Sequence, residues 1–285
     1  MSGYSKSSDS VLLGSYRARS WLVVPADRPE RIAKACEGPA DVVIADLEDA
    51  VAPYSKAEAR AVVIRSLSSD LPVMVRINGP NTEWFAQDLE VCKAPGLIGV
   101  VVPKVESAND LAFAATTAEG LPILPMIETA LGLWNAHAIA QAPGVQRLVF
   151  GPLDFQLDLG MHGGTAEFAP FRSQLVLVSR VAKLLPPIDG PATDINDVTS
   201  LRADALRARH AGFGGKLCIH PKQLGIVNEC FTPTAEEIAW ARRVLAAATV
   251  ARGAVTLLDG KMIDRPVVAQ AEQIMQQVTP EKSRE

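Results

Sequence analysis

The chain has 285 residues, a formal net charge of −4 and 48% hydrophobic residues. This length suits one large α/β domain with a sizeable core. The negative net charge excludes a broad basic surface for nucleic acid, and no apolar run approaches the roughly 18 residues that cross a bilayer. The first ten residues are polar and serine-rich, so we predict a disordered tail over 1–15 and no secretion signal. Four cysteines without metal-ligand spacing predict reduced thiols in a cytoplasmic protein.

Eight short apolar runs recur along the chain at the spacing of one strand plus one helix. Apolar strands separated by helical stretches predict a parallel sheet that is covered by helices. Eight such units in a chain of this length predict an α/β fold, a closed (β/α)8 TIM barrel over residues 16–231, with the active site at the C-terminal ends of the strands. The runs are 20–26, 42–47, 73–77, 100–102, 123–127, 148–150, 184–188 and 217–219.

Helix signals lie between and after these runs. Pro29 stands at a first-turn position, and Ser55 with Glu58 predicts a capping box. Beyond the barrel, residues 232–285 are predicted to form a C-terminal helical extension that contacts a neighbouring subunit. Its predicted parts are an amphipathic helix over 234–251, a loop or extended arm over 253–264 and a final helix over 266–277.

Two carboxylates each follow an apolar run directly. Glu128 and Asp154 end the fifth and sixth predicted strands, which places them side by side at the barrel mouth. Two carboxylates with several waters are a common way to hold Mg2+. The alternative is that each carboxylate caps a helix.

A charged residue also lies within the third run. Arg76 follows Val-Met-Val, and a guanidinium at a barrel mouth suits capture of a carboxylate or an enolate oxygen. Strand alternation points Asp46 and Glu48 to the same side of the second strand. Arg76 therefore binds substrate, forms a structural salt bridge to one of these acids, or does both.

Two further cations lie near predicted strand ends. Lys104 follows Val-Val-Val-Pro and is a candidate for binding a substrate carboxylate or phosphate, for a Schiff base, or for an ion pair on the rim. Arg28 lies where the first strand meets a helix N-terminus, where an anion is favoured. His220 ends the last strand and is more consistent with a hydrogen-bonded wall residue than with a metal ligand.

Several motifs in fixed order resemble the citrate lyase beta-subunit-like proteins of the phosphoenolpyruvate/pyruvate superfamily, over residues 19 to about 276. They include Asp-Leu-Glu-Asp-Ala-Val-Ala-Pro from 46, Val-Arg-Ile-Asn from 75, Ile-Glu-Thr-Ala from 127, Ile-His-Pro-Lys-Gln from 219 and Asp-Gly-Lys-Met-Ile-Asp from 259. The resemblance implies a homotrimer, or a dimer of trimers, of the malyl-CoA or citramalyl-CoA lyase type. Such an enzyme cleaves an acyl-CoA thioester to acetyl-CoA and a 2-oxo acid, glyoxylate or pyruvate.

The resemblance also implies roles for individual residues. It implies that Glu128 and Asp154 bind Mg2+, that Arg76 holds substrate and enolate, and that Asp264 comes from a neighbouring subunit to act on the acetyl carbon. From their positions in the sequence, Glu48 is predicted as a catalytic residue that takes up the hydroxyl proton, with a metal-bound water as the alternative. Lys104, Arg28 and Glu128 are predicted to bind substrate. Two alternatives stay open: a citrate lyase beta subunit that acts on a citryl thioester of an acyl carrier protein, and a metal-dependent aldolase of free 2-keto-3-deoxy acids.

Overall fold

The computed structural model describes residues 18–67, 73–163, 166–252 and 254–278. The predicted tail, 1–15, lies outside these residues. The chain forms two compact units that divide between Asn228 and Glu229. Within the described residues, no helix is both long and apolar enough to cross a membrane, and all four cysteines are free thiols.

Eight parallel strands close into a barrel in the first unit, each paired with the next and the eighth with the first. This confirms the predicted (β/α)8 fold. The strands are β1 Ser20–Pro25, β2 Val42–Asp46, β3 Val73–Arg76, β4 Leu97–Val102, β5 Ile123–Ile127, β6 Val149–Phe150, β7 Ile188–Asp189 and β8 Gly215–Cys218.

Helices alternate with these strands. The helices up to the unit boundary are α1 Pro29–Cys36, α2 Lys56–Ser66, α3 Phe85–Leu89, α4 Ala112–Thr117, α5 Ala130–Trp134, α6 Ala136–Ala140, α7 Pro152–Asp158, α8 Ala169–Val181, α9 Val198–Ala211 and α10 Leu224–Phe231, with the boundary inside α10. Single 3-10 turns cover Pro53–Ser55, Glu90–Lys93, Ala108–Leu111 and Pro221–Gln223.

The barrel interior is a buried apolar cluster with contributions from all eight strands. It includes Ile44 of β2, Met74 of β3 and Met126 of β5. Because side chains alternate between the two faces of a strand, the residue two positions after each of these points to the same inward side. That residue is Asp46 on β2, Arg76 on β3 and Glu128 just after β5. The alternation that places apolar side chains in the core therefore also places these three charged side chains at the C-terminal mouth of the barrel.

In the first unit, the structure differs from the predicted elements at two places. The seventh run, 184–188, contributes only its last residue to β7, because Pro186 and Pro187 cannot donate to a strand ladder. The predicted capping box at Ser55 is wrong: its side chain makes no cap hydrogen bond, since Pro53–Ser55 already forms a 3-10 turn that leads into α2.

The second unit contains two helices and a two-stranded antiparallel hairpin. They are α11 Ala235–Val250, β9 Thr256–Leu258, β10 Lys261–Ile263 and α12 Arg265–Gln277. Thr234 and Glu237 form a capping box at the start of α11. A small cluster that includes Ala241, Val244 and Ala271 packs the two helices together. The segment predicted as a loop or arm is thus a hairpin over most of its length.

Candidate active site

Asp46 and Arg76 form a bidentate ion pair at the mouth of the barrel. They are register partners on β2 and β3. Arg76 donates from Nε to Asp46 Oδ1 at 2.7 Å and from Nη2 to Asp46 Oδ2 at 2.6 Å. Asp46 is fully buried and also accepts from the backbone N–H groups of Glu48 and Ala50. Asp46 therefore holds the guanidinium in one plane and orientation.

Glu48 lies between two cations. Its Oε2 is 3.1 Å from Arg76 Nη1, and its Oε1 accepts from Lys104 Nζ at 2.7 Å. Burial raises the pKa of Glu48, while the charges of Arg76 and Lys104 lower it, and burial has the larger effect. The structure thus shows the predicted salt bridges of Arg76 to Asp46 and Glu48, whereas substrate binding by Arg76 stays a prediction.

Lys104 connects Glu48 to Glu128. Its side chain reaches Glu48, whereas its backbone N–H donates to Glu128 Oε1 at 2.7 Å. Lys104 has a positive φ of 53°, which is uncommon for a residue other than glycine. This backbone conformation places the amide and the ammonium of a single residue against two different acids.

Glu128 is the most strongly perturbed acid of the site. It is 2% exposed, and burial, followed by the negative charges of Glu48 and Asp154, raises its pKa to about 8. Gly151 lies directly against it, since a Cβ at that position would overlap Glu128 Oε2. Because Glu128 is buried among other acids, its ionised form is unfavourable, and a bound divalent cation would stabilise that form.

A cavity of about 360 Å3 opens at Glu128, and neither Arg76 nor Glu48 is among its lining residues. Glu128, the half-buried Asp154 and Lys104 line it. Asp158 lines it as well and accepts from the Ala130 N–H at 2.6 Å, which ties α7 to the start of α5. The remaining lining residues are Gly79, Pro80, Asn81, Thr82, Glu106, Thr129 and Leu157.

The donor set of this cavity fits Mg2+. Glu128 and Asp154 offer carboxylate oxygens to the same space. The described residues contain no group of three or more His, Cys, Asp or Glu side chains arranged around one point. These residues therefore do not offer the three or four protein ligands that a softer ion needs. Mg2+ usually retains several waters beside one or two carboxylates, which matches this donor set.

The other predicted residues lie elsewhere. Arg28 is exposed at the end of β1, 3.7 Å from Asp27, and does not line the cavity. His220 caps the 3-10 turn Pro221–Gln223 by accepting from the Lys222 N–H, consistent with a wall residue. Asp264 belongs to the second unit, where its carboxylate caps α12 by accepting from the Val267 N–H.

Two residues around the site are not among the residues predicted from the sequence. Lys56 looked like an ordinary first-turn residue, yet its ammonium is buried against the end of β2. Asp158 ends a short helix, and only the fold brings it to the N-terminus of α5. The Asp154 helix start, with Pro152 in its first turn, could have drawn attention to Asp158 one turn later.

Comparison with known proteins gives a consistent result. Residues 19–221 match the profile of the HpcH/HpaI aldolase/citrate lyase family. The chain is 38% identical over 275 residues to a citrate lyase subunit beta-like protein of Deinococcus radiodurans, covering 90% of this chain and 96% of that protein. It is 34% identical over 299 residues to an L-malyl-CoA/beta-methylmalyl-CoA lyase of Cereibacter sphaeroides (91% and 94%), and 35% identical over 270 residues to a (3S)-malyl-CoA thioesterase of that species (90% and 93%).

A solved structure agrees with these sequence matches. The CitE protein of Mycobacterium tuberculosis, in complex with magnesium, acetoacetate and coenzyme A, aligns with a TM-score of 0.80 at 35% identity. The alignment covers 92% of this chain and 98% of that chain. The similarities confirm the resemblance that the sequence motifs predicted.

Proposed function

This chain belongs to the HpcH/HpaI aldolase/citrate lyase family, and we propose that it is a Mg2+-dependent lyase that cleaves a 3-hydroxy-3-carboxyl acyl-CoA thioester to acetyl-CoA and a 2-oxo acid. The family identifies it as a carbon–carbon lyase. The observation that carries the proposal is the continuous series of contacts from Asp46 through Arg76, Glu48 and Lys104 to Glu128. Its last two members, together with Asp154, line one cavity at the barrel mouth.

The metal is proposed to lie between Glu128 and Asp154. A bound Mg2+ would supply Lewis acidity that polarises the oxygens of the substrate. The protein residues around it have a separate task. They orient the substrate, take up the hydroxyl proton and stabilise the negative charge that develops on the thioester enolate.

Arg76 is proposed to stabilise the enolate. Two of its nitrogens are occupied by Asp46, so the guanidinium is oriented before substrate binds. Oriented charge in a site shielded from water is commonly the largest contribution to catalysis, and removal of one such group costs about 2.7–4 kcal/mol. Glu48 is proposed as the acceptor of the hydroxyl proton, because burial raises its pKa toward the working pH of a general base.

Asp264 is proposed to protonate the acetyl carbon from a neighbouring subunit. It lies in the second unit, between β10 and α12, and its half-buried side chain caps the start of α12. This role requires assembly of at least two chains, which is why a homotrimer or a dimer of trimers remains part of the proposal. Lys104 is proposed to contact a substrate carboxylate, and Arg28 an outer anionic group.

A thioesterase is the second candidate function, because a (3S)-malyl-CoA thioesterase is among the similar proteins. The two functions differ in the bond that breaks. A lyase releases acetyl-CoA and glyoxylate or pyruvate, whereas a thioesterase releases free CoA and the intact hydroxy acid.

A product assay tests the proposal. Purified protein is incubated with malyl-, methylmalyl-, citramalyl- and citryl-CoA, with Mg2+ or with EDTA, and acetyl-CoA and free CoA are separated by chromatography. We expect acetyl-CoA to form only with Mg2+. Free CoA without acetyl-CoA would support the thioesterase, and turnover of a free 2-keto-3-deoxy acid in place of any thioester would support the aldolase. Cleavage that requires a citryl group on an acyl carrier protein would support the citrate lyase subunit.

A further inference from the structure

Lys56 carries a buried ammonium group that the proposed reaction does not use. It is the first residue of α2, and only 4% of its surface is exposed. Its Nζ donates to the carbonyl oxygens of Leu47 at 2.8 Å and Glu48 at 3.0 Å. The same atom lies 4.9 Å from the ring centroid of Trp84. A lysine is seldom buried to this degree without partners, so these contacts fix the ammonium and the two carbonyls together.

The two carbonyls belong to the turn that follows β2. On the other side of this turn, the Asp46 carboxylate accepts from the N–H groups of Glu48 at 2.9 Å and Ala50 at 3.1 Å. Asn78 Nδ2 also donates to the Leu47 carbonyl at 3.0 Å. The turn is thus held at its N–H groups by an anion and at its carbonyls by a cation and an amide.

Glu48 depends on this turn more than Arg76 does. The Asp46–Arg76 pair lies within the ladder of β2 and β3, which fixes both residues independently. Glu48 lies beyond the last ladder position, so its backbone is positioned by the turn. Its carboxylate nevertheless meets Arg76 at 3.1 Å and Lys104 at 2.7 Å. A displacement of about 1 Å at a reacting group can cost about a hundredfold in rate.

We propose that Lys56 is a positioning residue, whose buried ammonium holds the turn over 46–50 so that the Glu48 carboxylate meets Arg76 and Lys104. Lys56 does not line the cavity, and it acts through the Glu48 backbone. The expected effect on kcat rests on the proposed function. The expected effect on the turn rests only on the contacts described above.

A double-mutant cycle tests the kinetic consequence. Lys56→Met, similar in length and uncharged, is expected to lower kcat about tenfold or more while KM changes less than about threefold. In a Glu48→Gln background the same substitution is expected to lower kcat less than about twofold, because the residue that it positions no longer acts. An equal loss in both backgrounds would overturn the proposal. Lys56→Arg keeps a cation that can donate to the same two carbonyls, so it is expected to lower kcat less than Lys56→Met does. A loss as large as that of Lys56→Met would contradict a role for the charge.

Hydrogen–deuterium exchange tests the structural consequence without turnover. Lys56→Met is expected to raise the exchange rate of the amides over 46–50 about tenfold or more, with Arg65→Met as the matched control. Arg65 lies near the end of the same helix and pairs with the exposed Glu58, away from the turn. Unchanged exchange at 46–50, or an equal increase in both variants, would overturn the proposal. If the wild-type protein cleaves no thioester, the proposed function fails while this measurement still decides on Lys56.

Discussion

Asp46 and Arg76 share one register position on adjacent parallel strands, and two hydrogen bonds of 2.7 and 2.6 Å join their side chains there. The ladder fixes their backbones, and the bidentate pair fixes the plane of the guanidinium. Nη1 remains directed to Glu48. The Arg76 guanidinium is therefore a cation whose orientation is set by the barrel itself.

Arg76→Lys is expected to lower kcat about 10²–10³-fold with retention of the fold. A lysine ammonium keeps the charge but cannot form the planar two-bond pair with Asp46 and reach Glu48 at the same time. Steady-state kinetics with a cleaved thioester, beside far-UV circular dichroism, measures this. Arg60→Lys is the control, because Arg60 makes a similar two-partner contact with Asp88 and Gln87 outside the cavity. Wild-type kcat in Arg76→Lys would contradict the assignment.

Much of this site could be predicted because every second side chain of a barrel strand points inward, and the sequence shows this alternation. Ile44 and Met74 point inward, so Asp46 and Arg76 must follow them. The contacts of Lys56 could not be predicted, since they depend on a turn and an aromatic ring that tertiary structure brings to it. The positive φ of Lys104 could not be predicted either, because a lysine gives no indication in the sequence that its backbone adopts this conformation.

The metal-free protein is expected to lose stability as the pH rises from about 4.5 to about 8. Glu128 has a folded pKa near 8 against an ordinary value of 4.5, so the folded state binds the proton more tightly than the unfolded state. The stabilisation is complete below pH 4.5 and is lost as the pH passes the folded pKa. Thermal unfolding in EDTA across this range measures the effect as the difference between wild type and Glu128→Gln, which lacks the titrating group.

Mg2+ is expected to reverse this loss. A cation bound at Glu128 and Asp154 stabilises the ionised carboxylates, so added Mg2+ should raise the Tm of the wild-type protein most strongly near pH 8. Glu128→Gln should show little Mg2+ response. The exposed Glu58→Gln substitution, at a carboxylate paired only with the surface residue Arg65, should behave as wild type. A Mg2+ response that survives in Glu128→Gln would place the ion elsewhere.

Gly151→Ala is expected to weaken Mg2+ binding about 10–100-fold. The new methyl group would overlap the Oε2 and Cβ atoms of Glu128, so the Glu128 side chain would have to leave the position in which it faces the cavity. Isothermal titration with Mg2+ measures the change. Gly225→Ala is the matched control, because no atom lies within 4 Å of the added Cβ and α10 gains a better helix former. Equal Mg2+ affinity in the two variants would show that Gly151 does not support the site.

Asp264→Asn separates a catalytic role from a structural one. Asparagine caps a helix about as well as aspartate, so the contact with the Val267 N–H should persist and the Tm should change little. The loss of the acid should nevertheless lower kcat about 10²-fold or more, which is the usual contribution of a positioned proton donor. Asp197→Asn, at the equivalent cap of α9, should leave kcat unchanged. A similar kcat in both variants would show that Asp264 caps α12 and takes no part in catalysis.

Co-expression of two inactive variants tests whether Asp264 acts on a neighbouring subunit. Asp264→Asn retains Arg76, and Arg76→Lys retains Asp264, so a site built from one chain of each kind has both groups. If each site takes its acid from the next chain of a closed ring, random mixing restores about one quarter of the sites. If each site uses its own Asp264, mixed assemblies stay as inactive as the parents. Size-exclusion chromatography of differently tagged chains confirms mixing, and acetyl-CoA release then decides between the two arrangements.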